Sequence, residues 1–388
     1  MTDDPPATWV FRGDWLAAAK GARCEPDSSL APAFDQLRED AEAALNAGPF
    51  SVTFKDDLPP SGDPHDYMSQ GPYWWPNPDT ADGLPYIRRD GERNPEVTEL
   101  DSPQLKGMTD AVITLALGYF FFETDRYAEH ARTLLDTWFI DEATRMNPHL
   151  EFGQRIPGRV EGRGIGIVDT RVFTRLVDAL VLLEDTLPAD TTTTLQAWFG
   201  SYISWLVGTE TGRDEAIHPN NHRSRYDKQL QAMARFVGQD DLAAYAAALV
   251  PSRHLDQHIT PDGRQPHELA RTRALSYAAG NLADLFDLAR LAEHQGFVYW
   301  SAAPRNGGTI QQALDWLVPH FVDPAGFEYE QLTDHPGERA VSLLRRATLV
   351  YDDRSYERAI AEVPNVDATS HRSNLLAPPP ALLAEDNS

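Results

Sequence analysis

Residues 261–293 read PDGRQPHELARTRALSYAAGNLADLFDLARLAE, a turn followed by a long helical pattern. Its first three residues form a turn sequence that delivers the chain into the segment that follows. From 267 to 293 the apolar residues recur three and four positions apart, which predicts one long amphipathic helix. Within it Glu268 and Arg271 are spaced to pair on the helix surface, and Arg273 shares a face with Tyr277. The simplest interpretation of these residues alone is a salt-bridged helix with a core tyrosine.

The same helical pattern continues outward over most of the chain. It predicts further helices over 31–47, 105–123, 126–139, 168–186, 191–208, 222–237, 239–249, 309–317, 337–350 and 354–361. No alternating β-branched run is long enough for a strand of a large sheet. Successive antiparallel helices in this number can close into a ring of hairpins, with a cleft at the end where the loops gather. The fold class predicted is therefore all-α.

Residues 50–105 differ in kind, because nine prolines in this stretch exclude a long helix. Such a long loop is usually functional, and this one is rich in aromatic residues, among them Tyr67, Tyr73, Trp74 and Trp75. Aromatic faces pack on the C–H surfaces of sugars, so the loop is a candidate sugar platform. The alternative is that the rings tether the loop to the helices. Arg88 and Arg89 follow closely and could hold carboxylates bidentately.

The two ends of the chain lack a helical pattern. Residues 1–30 are predicted to be irregular, residues 31–365 to form a single domain, and residues 366–388 to form a flexible, exposed tail. The start has no basic segment followed by an apolar one, so the chain as given is expected to be cytoplasmic, or secreted or periplasmic if a leader has been removed. No run of 18 apolar residues is present, so no membrane partner is expected.

The net charge of −25 makes nucleic acid an unsuitable partner, because a phosphate backbone needs a basic surface. An acidic polymer would also be repelled at long range, so any site for one must be a local basic cleft. The single cysteine, Cys24, excludes an intrachain disulfide and a cysteine-based metal site. We expect Cys24 to be semi-buried. No cluster of residues calls for a metal or another cofactor, and the oligomeric state is left open.

Asn220-Asn221-His222 precedes the helix predicted over 222–237. An asparagine at a helix start is often an N-cap, and this accounts for Asn220. It does not account for the second amide or the imidazole. Histidine exchanges protons near neutral pH, so His222 is a candidate for proton transfer.

Residues 162–169, GRGIGIVD, have a glycine pattern that suggests a dinucleotide site. No strand is predicted before them and the last glycine of the dinucleotide fingerprint is missing, so we reject that interpretation. A close-packed turn before the helix 168–186 is the better prediction.

Taken together, five stretches resemble the alginate-lyase-like polysaccharide lyases: HDYMSQGPYWWPNP at 65–78, GLPYIRRDGERNPE at 83–96, NPHLEFGQ at 147–154, NNH at 220–222, and PDGRQPHELARTRALSY at 261–277. The resemblance runs from about 61 to 332. It implies an (α/α) toroid, an incomplete barrel of helical hairpins, acting on alginate or glucuronan.

The resemblance also implies the active-site residues. They are Asn221, His222 and Tyr277, with an arginine that is either Arg271 or Arg273. The residues expected to bind the substrate, an acidic polysaccharide or oligosaccharide, are Tyr67, Tyr73, Trp74, Trp75, Arg88, Arg89, Gln154, His267 and Glu268.

These residue types suit β-elimination from a 4-linked uronate. An amide, an imidazole and a guanidinium can neutralise the uronate carboxylate, which stabilises the enolate-like charge that develops. Tyr277 could take the C5 proton and protonate O4, provided that neighbouring cations lower its pKa, with His222 as the alternative base. A glycoside hydrolase is a second hypothesis and would need two carboxylates, such as Asp66 with Glu268 or Asp169. A third is a non-catalytic protein that binds acidic polysaccharides.

Overall fold

The computed structural model describes residues 4–25, 27–302 and 304–383. The α-helices of these residues are α1 Gly13–Gly21, α2 Ala31–Ala44, α3 Asp101–Phe122, α4 Asp125–Leu135, α5 Phe173–Leu182, α6 Ala189–Gly208, α7 Glu210–Ala216, α8 Asn221–Phe236, α9 Asp240–Ala248, α10 Asp256–His258, α11 Pro266–Leu269, α12 Ala274–Glu293, α13 Ile310–Val322, α14 Gly337–Val350, α15 Arg354–Ile360 and α16 Ser373–Leu376. The short strands are β1 Met68–Gln70, β2 Trp74–Trp75, β3 Ile87–Arg88 and β4 Phe152–Arg155.

The chain divides into two compact units. The first unit consists of Met1–Glu42, Pro219–Ser224 and Ala244–Ser388. The second unit consists of Ala43–His218 and Arg225–Ala243. The predicted active-site residues all belong to the first unit, and the aromatic loop belongs to the second.

The first unit is built around α12. Fifteen of the 20 residues of this helix are buried, because apolar residues occupy nearly all of its faces. It packs against α13 and α14, and α14 packs against α15. Tyr277 is thereby carried by the first turn of the helix at the centre of the unit.

The second unit is built around α3, which packs against α4 and α5. Within the described part of the chain, α3 is the one helix long and apolar enough to cross a membrane by length and composition. The most apolar part of this helix is 67% buried inside the protein, as is typical of the core helix of a globular unit. The same unit contains a cluster of edge-to-face and stacked rings formed by Phe139, Phe173, Trp198, Phe199 and Tyr202.

The strands organise the loop that precedes α3. β1 pairs in parallel with β4, and β2 pairs antiparallel with β3 so that Trp74 lies opposite Arg88. The 3₁₀ turn Pro95–Glu99 then leads into α3. The prediction that residues 50–105 contain no long helix therefore agrees with the structure.

Most predicted helices are present, and the helix predicted over 337–350 has nearly the bounds of α14. The single helix predicted over 267–293 is wrong, because the chain leaves the helix between α11 and α12. There Leu332 donates a backbone hydrogen bond to Thr272 (2.9 Å) and Ala274 donates one to Glu330 (3.0 Å). A bridge to a distant segment has replaced the helical hydrogen bonds. The segment 168–186 is likewise divided, since Gly164–Val172 is a 3₁₀ helix.

Within the described residues, the prediction that both chain ends lack helices is also wrong, whereas the flexibility of the tail stays a prediction. Residues 1–30 contain α1, whose Trp15 and Leu16 are buried. The predicted tail contains α16, which packs against α1 and buries Leu375. Each end has too few apolar residues to show a helical period in the sequence. The two short helices nevertheless pack against each other. Cys24, expected to be semi-buried, is exposed.

A buried ion pair fixes the aromatic loop to α3. The Nζ of Lys55 lies 3.1 Å from Oδ2 of Asp101, and both side chains are at most 1% exposed. Lys55 also donates to the carbonyl oxygen of Pro64 (2.9 Å), and Asp101 accepts from the backbone N–H of Met68 (2.8 Å). Burial raises the pKa of Asp101 to about 6, against an ordinary value of 3.8.

We predict that Lys55→Met lowers the free energy of unfolding by about 3–5 kcal/mol at pH 7.5, because it leaves a buried carboxylate without its cation. The loss should be smaller at pH 5. Since the pKa of Asp101 is higher in the folded state, the folded protein takes up the proton more readily as pH falls, and a neutral carboxyl needs no cation. Urea unfolding at the two pH values measures both losses.

The matched control is Lys106→Met, since Lys106 pairs with Asp110 on the surface, with side chains 74% and 54% exposed. It should change the unfolding free energy by less than about 0.5 kcal/mol at either pH. A Lys55→Met variant as stable as this control would contradict the importance of the buried pair.

Candidate active site

The segment 220–222 forms the start of α8. The backbone N–H of His222 donates to Oδ1 of Asn220 (3.2 Å), so Asn220 is a helix cap as predicted. Asn221 is fully buried, and the next residue, His222, lies in the first turn of the helix. The cap fixes the direction in which α8 leaves the loop, and with it the place of the imidazole.

Asn221 is held by the carboxylate of Glu268. Its backbone N–H donates to Oε1 of Glu268 (2.8 Å), and its side-chain Nδ2 donates to Oε2. Glu268 is 1% exposed, so the two donors satisfy a carboxylate that water does not reach. The contact joins the start of α8 to α11. Glu268, predicted to bind substrate, here binds Asn221, and the prediction that Asn221 contacts the substrate stays a prediction.

Arg271 and Tyr277 meet across the break between α11 and α12. Nη2 of Arg271 donates to the hydroxyl of Tyr277 (3.2 Å), and its guanidinium carbon lies 4.4 Å from the centre of the tyrosine ring. Both side chains are half-buried. A cation beside the hydroxyl favours the phenolate over the neutral phenol. Of the two candidate arginines, Arg271 therefore has a hydrogen bond to the Tyr277 hydroxyl.

The start of α12 is capped by a residue far away in sequence. Arg273 is the residue before the helix and makes no side-chain cap. Instead Oε1 of Gln331 accepts from the backbone N–H groups of Leu275 (3.0 Å) and Ser276 (3.4 Å). Gln331 also bridges with Arg273 in the backbone. Tyr277, one residue further on, is therefore placed by a segment that helical spacing could not reveal.

The first unit thus brings together two pairs, Asn221 with Glu268 and Arg271 with Tyr277. His267 is exposed on α11, beside Glu268 in the chain. Tyr277 provides a hydroxyl group, Arg271 a cation and His267 an imidazole, all at or next to the starts of α11 and α12. Such a set can remove and return a proton next to a negatively charged group.

The second unit presents the aromatic hairpin of β2 and β3. The guanidinium of Arg159 lies 5.2 Å from the ring of Trp74, and that of Arg89 lies 5.1 Å from the ring of Trp75. Tyr73 is half-buried, and Arg88 is exposed and bonded to Asp90 (2.7 Å). Arginines therefore lie on the tryptophans, as a local basic surface on an acidic protein requires. Arg159 is a member of this group that the sequence reasoning missed.

Tyr67 does not belong to the predicted sugar platform. Its side chain is completely buried and its hydroxyl donates to Oδ2 of Asp169 (3.0 Å). Ser69 donates to the same oxygen (2.7 Å). Burial raises the pKa of Tyr67 well above its ordinary value, with Asp169 adding to the effect. Tyr67 anchors the loop and has no face available for a sugar.

Gln154 lies in the same hydrogen-bond network. Its backbone N–H donates to Ser69 (2.8 Å), and its side-chain and backbone oxygens accept from Arg163 (3.0 and 3.1 Å). Its φ of 49° lies in the left-handed region, which a non-glycine residue adopts only when its surroundings impose it. Burial, with Arg88 next in effect, lowers the pKa of Arg163 to about 10. Gln154 is held in a strained conformation by an arginine, and its contact with substrate stays a prediction.

The glycine pattern at 162–169 is a close-packed turn, as predicted. A Cβ on Gly166 would lie 2.4 Å from the carbonyl carbon of Gly153, and a Cβ on Gly162 would lie 1.8 Å from the carbonyl oxygen of Glu151. Neither position has room for a side chain. These glycines let the backbone before Asp169 pass against β4.

Glu215 is a functional candidate that the sequence reasoning missed. It is fully buried at the end of α7, and this burial raises the pKa of its carboxyl to about 8. A buried carboxyl group with a raised pKa is a candidate functional group. No pattern in the sequence distinguishes it from a surface glutamate. In the described part of the chain, no group of three or more His, Cys, Asp or Glu is arranged to hold a metal ion.

The fold is similar to those of several solved structures. The crystal structure of an alginate lyase from Bacteroides ovatus matches with a TM-score of 0.92 and 38% sequence identity, over 96% of this chain and 99% of that chain. Alginate lyase A1-III from Sphingomonas species A1 matches with a TM-score of 0.61 and 18% identity, over 97% and 96% of the two chains. A complex of alginate lyase A1-III with a tetrasaccharide gives 0.63 and 16%, over 96% of each chain.

The predicted fold class, an all-α (α/α) toroid, is confirmed by these matches. Among the curated proteins, none matches the chain. The family model described as alginate lyase matches residues 51–327, which include the aromatic loop, the start of α8 and the Arg271–Tyr277 pair. The chain therefore belongs to the alginate lyase family and is a polysaccharide lyase.

Proposed function

We propose that this lyase cleaves 4-linked D-uronate polymers, mannuronate-rich alginate or glucuronan, with Tyr277 as both the base and the acid of β-elimination. The observation that carries the proposal is the hydrogen bond from Arg271 to the hydroxyl of Tyr277. The guanidinium both favours the phenolate, which can accept a proton, and fixes the direction of the oxygen. A general acid–base group of this kind typically contributes about 10²–10⁴-fold in rate.

The reaction transfers one proton through the tyrosine. The phenolate of Tyr277 takes the C5 proton of the uronate, and an enolate-like charge develops on the adjoining carboxylate. The C4–O4 bond then breaks, C4 and C5 become doubly bonded, and the phenol returns the proton to O4. In D-mannuronate and D-glucuronate the C5 proton and O4 lie on the same face of the ring, so a single side chain can serve both steps.

The developing charge needs donors that are already in place. His222 lies in the first turn of α8 and is our candidate to neutralise the carboxylate. Arg273 is the second candidate, on the segment that leads into α12. Asn221 supports this site through Glu268, whose carboxylate binds both of its N–H groups.

The aromatic hairpin supports the binding of a uronate polymer. Trp74 and Trp75 are half-buried and each carries an arginine on its face, so they offer an apolar surface beside a cation. A uronate presents C–H bonds on its ring face and a carboxylate at its edge, which matches this combination. Local arginines also offset the long-range repulsion expected from a net charge of −25.

The alternatives are not favoured. For a hydrolase, Asp66 is already occupied by Ser61 (2.7 Å), Asn147 (2.7 Å) and His149 (2.9 Å). Asp169 is similarly held by Tyr67 and Ser69. Neither carboxylate is placed to attack a sugar. A protein that only binds the polymer has no need of a tyrosine hydroxyl directed by an arginine.

We predict that Tyr277→Phe lowers kcat by at least about 10²-fold and leaves folding and substrate binding nearly intact, since one hydroxyl is removed. The formation of 4,5-unsaturated ends, followed by near-ultraviolet absorbance, measures the loss. The control is Tyr299→Phe, which removes another hydroxyl of the same unit, hydrogen-bonded to Ala247 (3.1 Å). It should retain kcat. More than a tenth of wild-type turnover in Tyr277→Phe would show that another residue is the base.

For the aromatic hairpin, we expect Trp74→Ala to raise KM more than it lowers kcat, because a platform binds ground and transition states alike. Trp74→Phe keeps an aromatic face and should lie closer to wild type. Steady-state kinetics on oligosaccharides and thermal unfolding are measured together. A fall in Tm with unchanged KM would support a tethering role instead.

The proposal also predicts substrate stereochemistry. L-guluronate has its C5 proton and O4 on opposite faces, so one tyrosine cannot serve both steps. We therefore expect kcat/KM on mannuronate-rich alginate or glucuronan to exceed that on guluronate blocks at least tenfold, about 1.4 kcal/mol in transition-state binding. Equal or faster cleavage of purified guluronate blocks would refute single-tyrosine syn elimination.

A further inference from the structure

Ser224 lies one turn into α8, three residues after Asn221, and is completely buried. Its hydroxyl donates to Oδ1 of Asn281 on α12 (2.7 Å). Nδ2 of Asn281 in turn donates to Oε1 of Gln265, the residue before α11 (2.8 Å). Gln265 donates to the carbonyl oxygen of Ala278 on α12 (3.0 Å). Three polar side chains thus join the starts of α8 and α11 to the first turns of α12.

These hydrogen bonds close into a ring with those of the candidate site. Gln265 precedes Glu268 by three residues, and Glu268 binds Asn221, which precedes Ser224 by three. The ring therefore runs from Asn221 to Ser224, Asn281, Gln265, Glu268 and back to Asn221. Every member is at most 1% exposed. Water cannot substitute for a missing partner, so opening one bond leaves a buried polar group unsatisfied.

Tyr277 is attached to this ring by helical geometry. It precedes Asn281 by four residues on α12, so the two side chains leave the same face of the helix one turn apart. A shift of Asn281 along or around the helix axis would move the tyrosine hydroxyl by a similar amount. His222, next to Asn221, is attached to the ring on the side of α8.

Two histidines complete the surroundings of Ser224. The Nδ1 atoms of His258 and His254 lie 3.2 and 3.4 Å from its hydroxyl. Burial, with His254 next in effect, lowers the pKa of His258 well below its ordinary value. A neutral imidazole can donate through Nδ1 to the serine oxygen, whose own proton is given to Asn281. The hydroxyl is thereby held in one orientation.

We propose that Ser224, Asn281 and Gln265 are positioning residues, which set the Tyr277 hydroxyl relative to the Asn221–His222 segment. The inference rests on the proposed function of Tyr277. Apolar side chains could fill the same space without the penalty of burying polar atoms. Directional hydrogen bonds allow one register of the three segments, whereas apolar packing tolerates several. Acid–base catalysis requires that one register, because small displacements at the reacting atoms reduce the rate strongly.

Two variants test the ring, and each opens it at a different bond. Ser224→Ala removes the donor to Asn281, and Gln265→Met removes the acceptor of Asn281. We expect each to lower kcat by about tenfold or more, and to change KM by less than about threefold, because the substrate is still bound but the tyrosine is misplaced. If one variant does not fold, the other carries the test.

The matched control is Ser373→Ala. Ser373 is also a buried serine of the first unit whose hydroxyl meets a histidine Nδ1, that of His371 at 2.6 Å, but it lies outside the ring. We expect it to lower Tm and leave kcat unchanged. A second test is the variant Ser224→Ala/Gln265→Met. Because the two changes open one ring, its kcat should be close to that of the poorer single variant.

The outcomes separate the positioning role from the proposed function. If Tyr277→Phe is inactive while Ser224→Ala and Gln265→Met lower Tm and keep kcat within about twofold of wild type, the ring is merely structural and the positioning proposal is wrong. The same holds if the losses of the two single variants multiply in the double variant. If Tyr277→Phe keeps its turnover, the proposed function fails, whatever the ring variants do.

Discussion

The carboxylate of Glu268 is the constraint on which the candidate site depends. It is buried, so it requires donors within the protein, and Asn221 supplies two of them from its backbone and its side chain. Because these N–H groups belong to the first residue of α8, the start of that helix is tied to α11. The same contact fixes the backbone position of the next residue, His222. Glu268 therefore contributes to the candidate site by holding Asn221 in place.

The second segment of the candidate site is also held by a distant part of the chain. Tyr277 lies in the first turn of α12, whose N–H groups are capped by Gln331 from a segment more than fifty residues later. Arg271 reaches the tyrosine because the helix is interrupted between Leu269 and Ala274. In a continuous helix the arginine six residues earlier would point to another face. The interruption is therefore part of the site.

Much of this could be predicted from the sequence, because helices with strong apolar periodicity, such as α14, are specified locally. The residue types of the site and its family also followed from short motifs. The break before α12, the partner of Glu268 and the raised pKa of Glu215 could not be predicted. Each depends on a contact or a degree of burial that distant residues create. The burial of the Tyr67 ring likewise depends on the fold and has no signal in the sequence.

In the mechanism that we propose, the hydroxyl of Tyr277 faces C5 of the uronate beside the scissile bond. A crystal structure of the Tyr277→Phe variant with an uncleaved mannuronate oligosaccharide tests it most directly. We expect the para carbon of the substituted ring to lie against C5 at van der Waals distance, with the carboxylate of that sugar on His222 or Arg273. A sugar whose C5 faces a different acid or base, with the substituted ring away from the scissile bond, would contradict it.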